Sequence, residues 1–240
     1  LTLALGTGQV TPLEMARGYA VFANGGFLVT PYIIDNVTDG RGSTDFAAAP
    51  PVACADCPGE PLAPQAISPA NAFVMTDVMT DVIQRGTATA ARSLGRNDLA
   101  GKTGTTNDRR DAWFLGFNAD IAAAAWIGFD QERSLGDNEE GSRTALPMWI
   151  YFMEEALRDR PEHRLPEPPG VVRMWVDRST GRPTSAGAGG AVFEAFLATL
   201  APAQNAAIAV VGRPSASTTQ AAATASSSAP IGDITGSATF

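Results

Sequence analysis

The sequence contains one lysine, one histidine and two cysteines, and it has no long apolar run. The longest such run, residues 121–129, is about half of the ~20 residues that a membrane-spanning helix needs, so we expect no spanning segment. Lysine and arginine do not cluster, and the formal net charge is -8. This charge argues against a nucleic-acid-binding surface and against a polybasic membrane patch.

Both cysteines lie in the short segment Cys54-Ala55-Asp56-Cys57, within a proline-rich stretch. A zinc site would need two further ligands, and His163, the only histidine, is far along the chain. A redox motif should open a helix directly after a strand, which the surrounding prolines disfavour. We therefore expect a local disulfide or two idle thiols in a loop, and no metal or cofactor.

Apolar residues are plentiful: 45% of the 240 residues are hydrophobic, enough to bury a sizeable core. The chain opens on Leu1 inside an apolar, glycine-containing stretch without a basic n-region. We therefore expect no signal peptide here, and we expect the chain to be a fragment of a longer protein. Residues 201–240 are rich in Ala, Ser, Thr and Pro, with few large apolar side chains, and are predicted to be disordered.

Three helices have clear start or periodicity signals. Thr11, followed by Pro12 and Glu14, predicts a capping box and a helix that ends near residues 24–26. Ser68 and Pro69 open a second helix that ends at Gly86, and residues 87–94 could form a short one. Residues 145–157 form a strongly apolar third helix.

Residues 99–107 and several neighbouring segments have the composition of strands. The links between consecutive strands are short, which predicts an antiparallel sheet covered by helices, an α+β fold. The acidic segment 136–141 is expected to be a solvated loop. The predicted strands are residues 27–37 (followed by a turn and hairpin), the stretch around residues 99–107, residues 113–117, residues 121–129 and residues 171–176.

The stretch 99–107, LAGKTGTTN, is the most informative part of the chain, and it predicts an edge strand facing a cleft. Its threonines are β-branched and favour an extended chain, while Gly104 leaves room for a ligand to approach. Lys102 supplies a compact positive charge, and Thr103 and Thr105 supply hydroxyl donors, to an anionic group such as a carboxylate. Lys102 is the only lysine, which suggests that its position is selected for a role.

The Lys-Thr-Gly sequence belongs to the active-site motif set of penicillin-binding proteins and serine β-lactamases. With the flanking segments 84–88 (QRGTA) and 107–116 (NDRRDAWFLG), the chain resembles class A, bifunctional penicillin-binding proteins over residues 1–200. The resemblance implies a penicillin-binding protein/serine β-lactamase-like transpeptidase fold. It further implies that Lys102, Thr103, Gly104 and Thr105 bind the carboxylate of a stem peptide or a β-lactam, with Lys102 and the hydroxyls of Thr103 and Thr105 facing one cleft. The resemblance also implies that Lys102 and Thr105 are catalytic, with the backbone N–H of Thr105 donating a hydrogen bond to the oxyanion.

Two motifs of that family are missing. The family's nucleophilic serine lies in a Ser-x-x-Lys motif. This chain cannot contain that motif, because its only lysine is Lys102 and residue 99, three positions earlier, is leucine. A Ser-x-Asn motif is also absent from the sequence. We therefore expect the fold to be incomplete at its N-terminal side, with the catalytic serine upstream of Leu1 and this fragment inactive alone. The resemblance also implies an upstream glycosyltransferase domain and membrane anchor, a periplasmic location at the inner membrane, and other cell-wall synthesis proteins as possible partners.

The residues leave two alternatives open: a D,D-carboxypeptidase or β-lactamase-like hydrolase, and a non-catalytic peptide-binding module. We expect residues 1–160 to form the C-terminal part of a transpeptidase domain, and residues 161–200 to form an extension with a possible strand. Residues 201–240 would be the disordered tail.

Overall fold

The computed structural model describes Gly6 and residues 8–203. Within residues 8–203, no helix is long and apolar enough to cross a membrane. Residues 204–240 of the predicted disordered tail lie outside the described residues. The proposed division after residue 160 remains a prediction.

A three-stranded antiparallel sheet forms the centre of the described fold, in the order β3-β4-β5. Its strands are β3 (Ala100–Thr105), β4 (Ala112–Phe117) and β5 (Ala122–Ile127). The register pairs Thr103 with Phe114, and Phe114 with Ala125. The predicted antiparallel arrangement is confirmed, and so is the position of β3 as an edge strand of this sheet.

Two helices begin at the predicted caps. Helix α1 (Pro12–Ala23) starts at a complete capping box, in which the Thr11 N–H donates to Glu14 Oε2 at 2.8 Å and the Glu14 N–H donates to Thr11 Oγ1 at 3.2 Å. Helix α2 (Pro69–Gln84) begins with the Ser68 hydroxyl accepting from the N–H of Asn71. These caps satisfy backbone donors that a helix terminus otherwise leaves without partners.

The two faces of the sheet are covered by different helices, because successive side chains of a strand point to opposite faces. On one face, the rings of Tyr19 and Phe22 from α1 lie 6.2 and 6.4 Å from the ring of Phe117. On the other face, Trp149 of α3 (Ala145–Ala156) packs edge-on against Phe114, with 4.9 Å between their ring centroids. Helix α2 lies beside β3. Its Ile83 belongs to the buried apolar cluster around Phe114 and Trp149, and its Met79 belongs to the cluster around Phe117.

Two short hairpins flank this core. The first joins β1 (Asn36–Thr38) to β2 (Thr44–Ala47). The predicted strand over residues 27–37 was wrong in extent: only its last two residues are in β1, and Phe27 makes an isolated bridge with Gln65. Pro31 lies inside the predicted stretch and has no N–H to donate to a strand ladder. The disulfide between Cys54 and Cys57 follows this hairpin.

The second hairpin pairs β6 (Val171–Asp177), which the sequence predicts, with β7 (Ala191–Leu197), which it does not. A 3-10 turn over Thr89–Leu94 precedes β3, where a short helix is predicted. A second, Asn107–Arg109, joins β3 to β4.

Candidate active site

The candidate site is β3, whose two glycines lie close against β4: Gly101 has no room for a side chain, and Gly104 has little. A Cβ on Gly101 would lie 2.6 Å from the carbonyl oxygen of Leu115, and a Cβ on Gly104 would lie 3.2 Å from Cβ of Trp113. Glycine at 101 therefore allows the close approach of β3 to β4. Trp113, which pairs with Gly104, also packs against Trp126, with 5.9 Å between the ring centroids and the ring planes tilted by 40°.

Lys102 and the two threonines lie on opposite faces of the strand. Lys102 pairs with Leu115, whereas Thr103 pairs with Phe114 on the face that α3 covers. The Lys102 side chain is exposed, and its Nζ donates to the backbone carbonyl of Thr103 at 2.9 Å. The ammonium group thus folds back to its own strand. That Lys102 and the threonine hydroxyls face one cleft remains a prediction.

Thr103 is paired with a residue that arrives from the end of α2. The hydroxyl oxygens of Thr87 and Thr103 are 2.8 Å apart, so one hydroxyl donates to the other. Thr87 lies in the segment 84–88, directly after the helix that runs beside β3. Thr87 is not among the site residues predicted from the sequence, although its position in that flanking segment was a usable signal.

Thr105 is held by the loop that leads into α3. The N–H of Gly141 donates to Thr105 Oγ1 at 3.1 Å. The acidic segment 136–141 was expected to be solvated throughout, and this expectation is wrong at its last residue, because Gly141 is buried against β3 and β4. The acidic character of the segment gave no indication that its terminal glycine packs inward.

Asp111 holds the connection between β3 and β4. Its N–H donates to Thr106 Oγ1 at 2.8 Å, and its carboxylate accepts from Trp126 Nε1 at 2.9 Å. The connecting turn places Asp108 and Arg109 in the left-handed region, with φ of 58° and 53°. Non-glycine residues adopt this conformation infrequently, so the turn depends on the bonds made by Asp111 and its neighbours.

The arrangement suits the binding of an anion. A lysine ammonium has three donors and no acceptor, and each threonine hydroxyl can donate one hydrogen bond. Hydrogen bonds from such groups to a carboxylate are stronger than those between neutral groups. Within the described residues, no cluster of three or more His, Cys, Asp or Glu side chains could hold a metal ion.

A cavity of about 600 Å³ lies away from β3 and contains none of the candidate site residues. It opens between the end of α1, the start of α2 and the segment 163–169. Its aromatic lining includes Phe22, Phe73 and Phe117. Size alone would favour this cavity as the site, but the donor groups suited to an anion lie on β3.

Comparison with known families identifies the class. Residues 1–129 match the family described as the penicillin binding protein transpeptidase domain. The match covers more than half of the chain and includes β3, so the chain belongs to this family. The predicted resemblance and the predicted fold class are both confirmed.

Several similar proteins are penicillin-binding proteins 1A. The protein of Pseudomonas aeruginosa is 41% identical over an alignment of 234 positions, which covers 81% of this chain and 28% of that protein. The protein of Neisseria lactamica is 48% identical over 172 residues, which are 72% of this chain and 21% of that protein. The crystal structure of penicillin-binding protein 1A from Haemophilus influenzae superposes with a TM-score of 0.78 at 38% identity, covering 84% of this chain and 34% of that one. The chain thus spans between about a fifth and a third of these relatives.

Proposed function

We propose that this chain is part of a peptidoglycan D,D-transpeptidase, and that β3 binds the C-terminal carboxylate of a D-Ala-D-Ala stem peptide or of a β-lactam. The observation that carries the proposal is the edge strand with its lysine and two threonines, each threonine hydroxyl held by a residue from another element. Pre-positioned donors bind an anion without reorganising when it arrives, which favours both binding and catalysis.

The reaction proposed for the whole protein is a serine acyl transfer in two steps. The Oγ of a serine upstream of this chain attacks the carbonyl carbon between the two D-alanines, and the peptide C–N bond breaks as the terminal D-alanine leaves with a proton. The amine of a neighbouring stem then attacks the ester carbonyl. The ester C–O bond breaks as the new amide bond forms, and the proton lost by the amine passes to the serine oxygen. The Thr105 N–H serves as one donor to the oxyanion in both steps.

In this proposal, the carboxylate lies along the edge of β3 that no strand of the described sheet covers. Lys102 reaches it from one face of the strand and the hydroxyls of Thr103 and Thr105 from the other, and the lack of a side chain at Gly104 lets it approach the backbone. The β-lactams bind there because they present a carboxylate next to a reactive carbonyl, and they acylate the same serine. The protein acts at the periplasmic side of the inner membrane, held by an anchor outside this chain. This chain alone is inactive, because its sequence contains no Ser-x-x-Lys motif.

Intact-mass measurement after incubation with a reactive penicillin tests the proposal on two samples: this chain, and the complete protein that its gene encodes. We expect a mass increase of one penicillin on the complete protein only, with the modified residue mapping upstream of Leu1. Acylation of this chain itself would contradict the upstream serine. No acylation of either sample would contradict the transpeptidase and favour a peptide-binding module.

A hydrolase is separated from the transpeptidase by the fate of the acyl group. Incubated with a D-Ala-D-Ala stem peptide and an amine acceptor, the complete protein is expected to form the cross-linked amide. Exclusive release of the shortened free acid would assign a carboxypeptidase instead.

A further inference from the structure

Gly141 occupies a position on β3 and β4 that admits no side chain. A Cβ at residue 141 would lie 2.3 Å from the carbonyl oxygen of Trp113, 2.5 Å from that of Gly104 and 3.1 Å from the Gly104 nitrogen. All three are backbone atoms of a paired sheet, so they cannot move aside as the end of a flexible side chain could. Only glycine allows the loop to lie this close to the strand.

The loop is held in this position from the helix side as well. The Gly141 carbonyl accepts from the N–H of Leu146 at 2.9 Å, one residue into α3. Further along α3, the Trp149 side chain is 1% exposed and its Nε1 donates to the carbonyl of Gly116 at 3.3 Å. Just before the helix, the Thr144 hydroxyl donates to the Glu139 carboxylate at 2.6 Å. Gly141 is therefore fixed between a buried helix and β3.

This placement determines how the Thr105 hydroxyl can be used. A hydroxyl has one hydrogen to donate and two lone pairs that accept. The Gly141 N–H occupies a lone pair of Thr105 Oγ1, which leaves the hydroxyl hydrogen free. Thr105 itself is exposed. The group that it presents to solvent is then a donor, as an incoming carboxylate requires.

We propose that Gly141 is a positioning residue for the carboxylate site: its N–H orients the Thr105 hydroxyl as a donor, and its lack of a side chain allows that contact. This inference rests on the proposed function of β3. It adds a residue from the α3 loop to a site that the strand motif alone would place within residues 102–105.

The test uses the complete protein and the second-order rate of acylation by a fluorescent penicillin, with the thermal unfolding midpoint measured beside it. Gly141→Ala is expected to lower the acylation rate by about tenfold, the effect of losing a hydrogen bond that supports a charged ligand. Gly40→Ala is the matched control, because a Cβ there meets nothing within 4 Å, and we expect the wild-type rate. Thr144→Val, which only loosens the loop, is expected to give a smaller loss and keeps the test valid if Gly141→Ala does not fold.

A double-mutant comparison separates positioning from general destabilisation. Thr105→Val removes the hydroxyl and should slow acylation, whereas Thr105→Ser keeps the hydroxyl and should retain most of the rate. If Gly141 acts through that hydroxyl, Gly141→Ala adds no further loss to Thr105→Val. The inference would be overturned if Gly141→Ala lowered the acylation rate by the same factor in the wild type and in Thr105→Val. It would also be overturned if Gly141→Ala or Thr105→Val were acylated at the wild-type rate. An unlabelled wild-type protein would instead overturn the proposed function, and with it this inference.

Discussion

The hydroxyl oxygens of Thr87 and Thr103 lie 2.8 Å apart, joining the end of α2 to the strand that carries the lysine. Arg85, two residues before Thr87, pairs with Asp81 of α2 and with Glu194 of β7, the second pair at 2.6 Å. These ion pairs hold the end of α2 just before Thr87. This contact extends the candidate site to a residue outside the Lys-Thr-Gly sequence.

Thr87→Val in the complete protein is expected to slow penicillin acylation about fivefold, because Thr103 loses its hydroxyl partner and the orientation that it provides. Thr87 is exposed, so the free energy of unfolding should change by no more than about 0.5 kcal/mol. Thr89→Val, at an exposed position on the following 3-10 turn, is the control. Equal rates in the two variants would show that the Thr87 hydroxyl has no role.

Lys102→Ala is expected to reduce acylation of the complete protein at least about 100-fold, since it removes the only full positive charge on β3. Lys102→Arg should restore part of the rate, because the charge is kept but the compact ammonium is replaced by a planar fork. Arg92→Ala, which removes an exposed positive charge before the strand, controls for net charge. Unchanged labelling of Lys102→Ala would contradict its assignment to the carboxylate site.

Asp98 is the buried anchor between three segments. Its side chain is fully buried and accepts from Arg96, from Asn118 Nδ2 at 3.0 Å and from the His163 N–H at 3.0 Å. Asp98→Ala should destabilise this region by about 3 kcal/mol, because it leaves a mostly buried guanidinium and two further donors without their acceptor. The measurement is amide hydrogen exchange in the complete protein, where residues 96–98, 118–121 and 160–163 should exchange faster.

Glu155→Ala on α3 is the control for Asp98→Ala. The ion pair of Glu155 with Arg158 is exposed on both sides, so its loss should change stability by less than about 1 kcal/mol. Comparable protection losses in the two variants would contradict the anchoring role of Asp98.

The pH dependence of stability should also report Asp98. Burial raises the pKa of its carboxyl, but the hydrogen bonds from Arg96, His163 and Asn118 outweigh burial and hold the pKa below its ordinary value of 3.8. A carboxyl with a lowered pKa stabilises the folded state fully above its unfolded value and loses that contribution as pH falls through its folded value. We expect local stability to fall below about pH 4 and this part of the slope to disappear in Asp98→Asn.

The matched control for the pH measurement is Asp45→Asn, in the exposed strand β2. It should leave the acid slope of the region around Asp98 unchanged. A slope in Asp98→Asn equal to that of the wild type would show that Asp98 does not provide the acid sensitivity.

Local signals in the sequence were sufficient for much of the fold. Thr11 and Glu14 are three residues apart, so a capping box could be predicted from spacing alone, and the box is present. The β-branched content of residues 99–107 likewise predicted a strand, and the short links to the strands that follow predicted antiparallel pairing. The strand over residues 27–37 failed because β-forming residues describe a preference, which neighbouring contacts and Pro31 overrode. Strand β7 could have been found from the β-forming residues Val192, Phe193 and Phe196 in its sequence AVFEAFL.

By itself, the sequence determined that a lone lysine lies in a Lys-Thr-Gly strand with the flanking segments of a penicillin-binding protein transpeptidase domain. It could do so because these features depend on residue identity and short-range spacing. Only the tertiary structure decided that Thr87 and Gly141 hold the two threonine hydroxyls, from 16 and 36 residues away along the chain. Those contacts depend on how α2 and α3 pack against the sheet, and that packing results from many side-chain contacts with no short-range pattern.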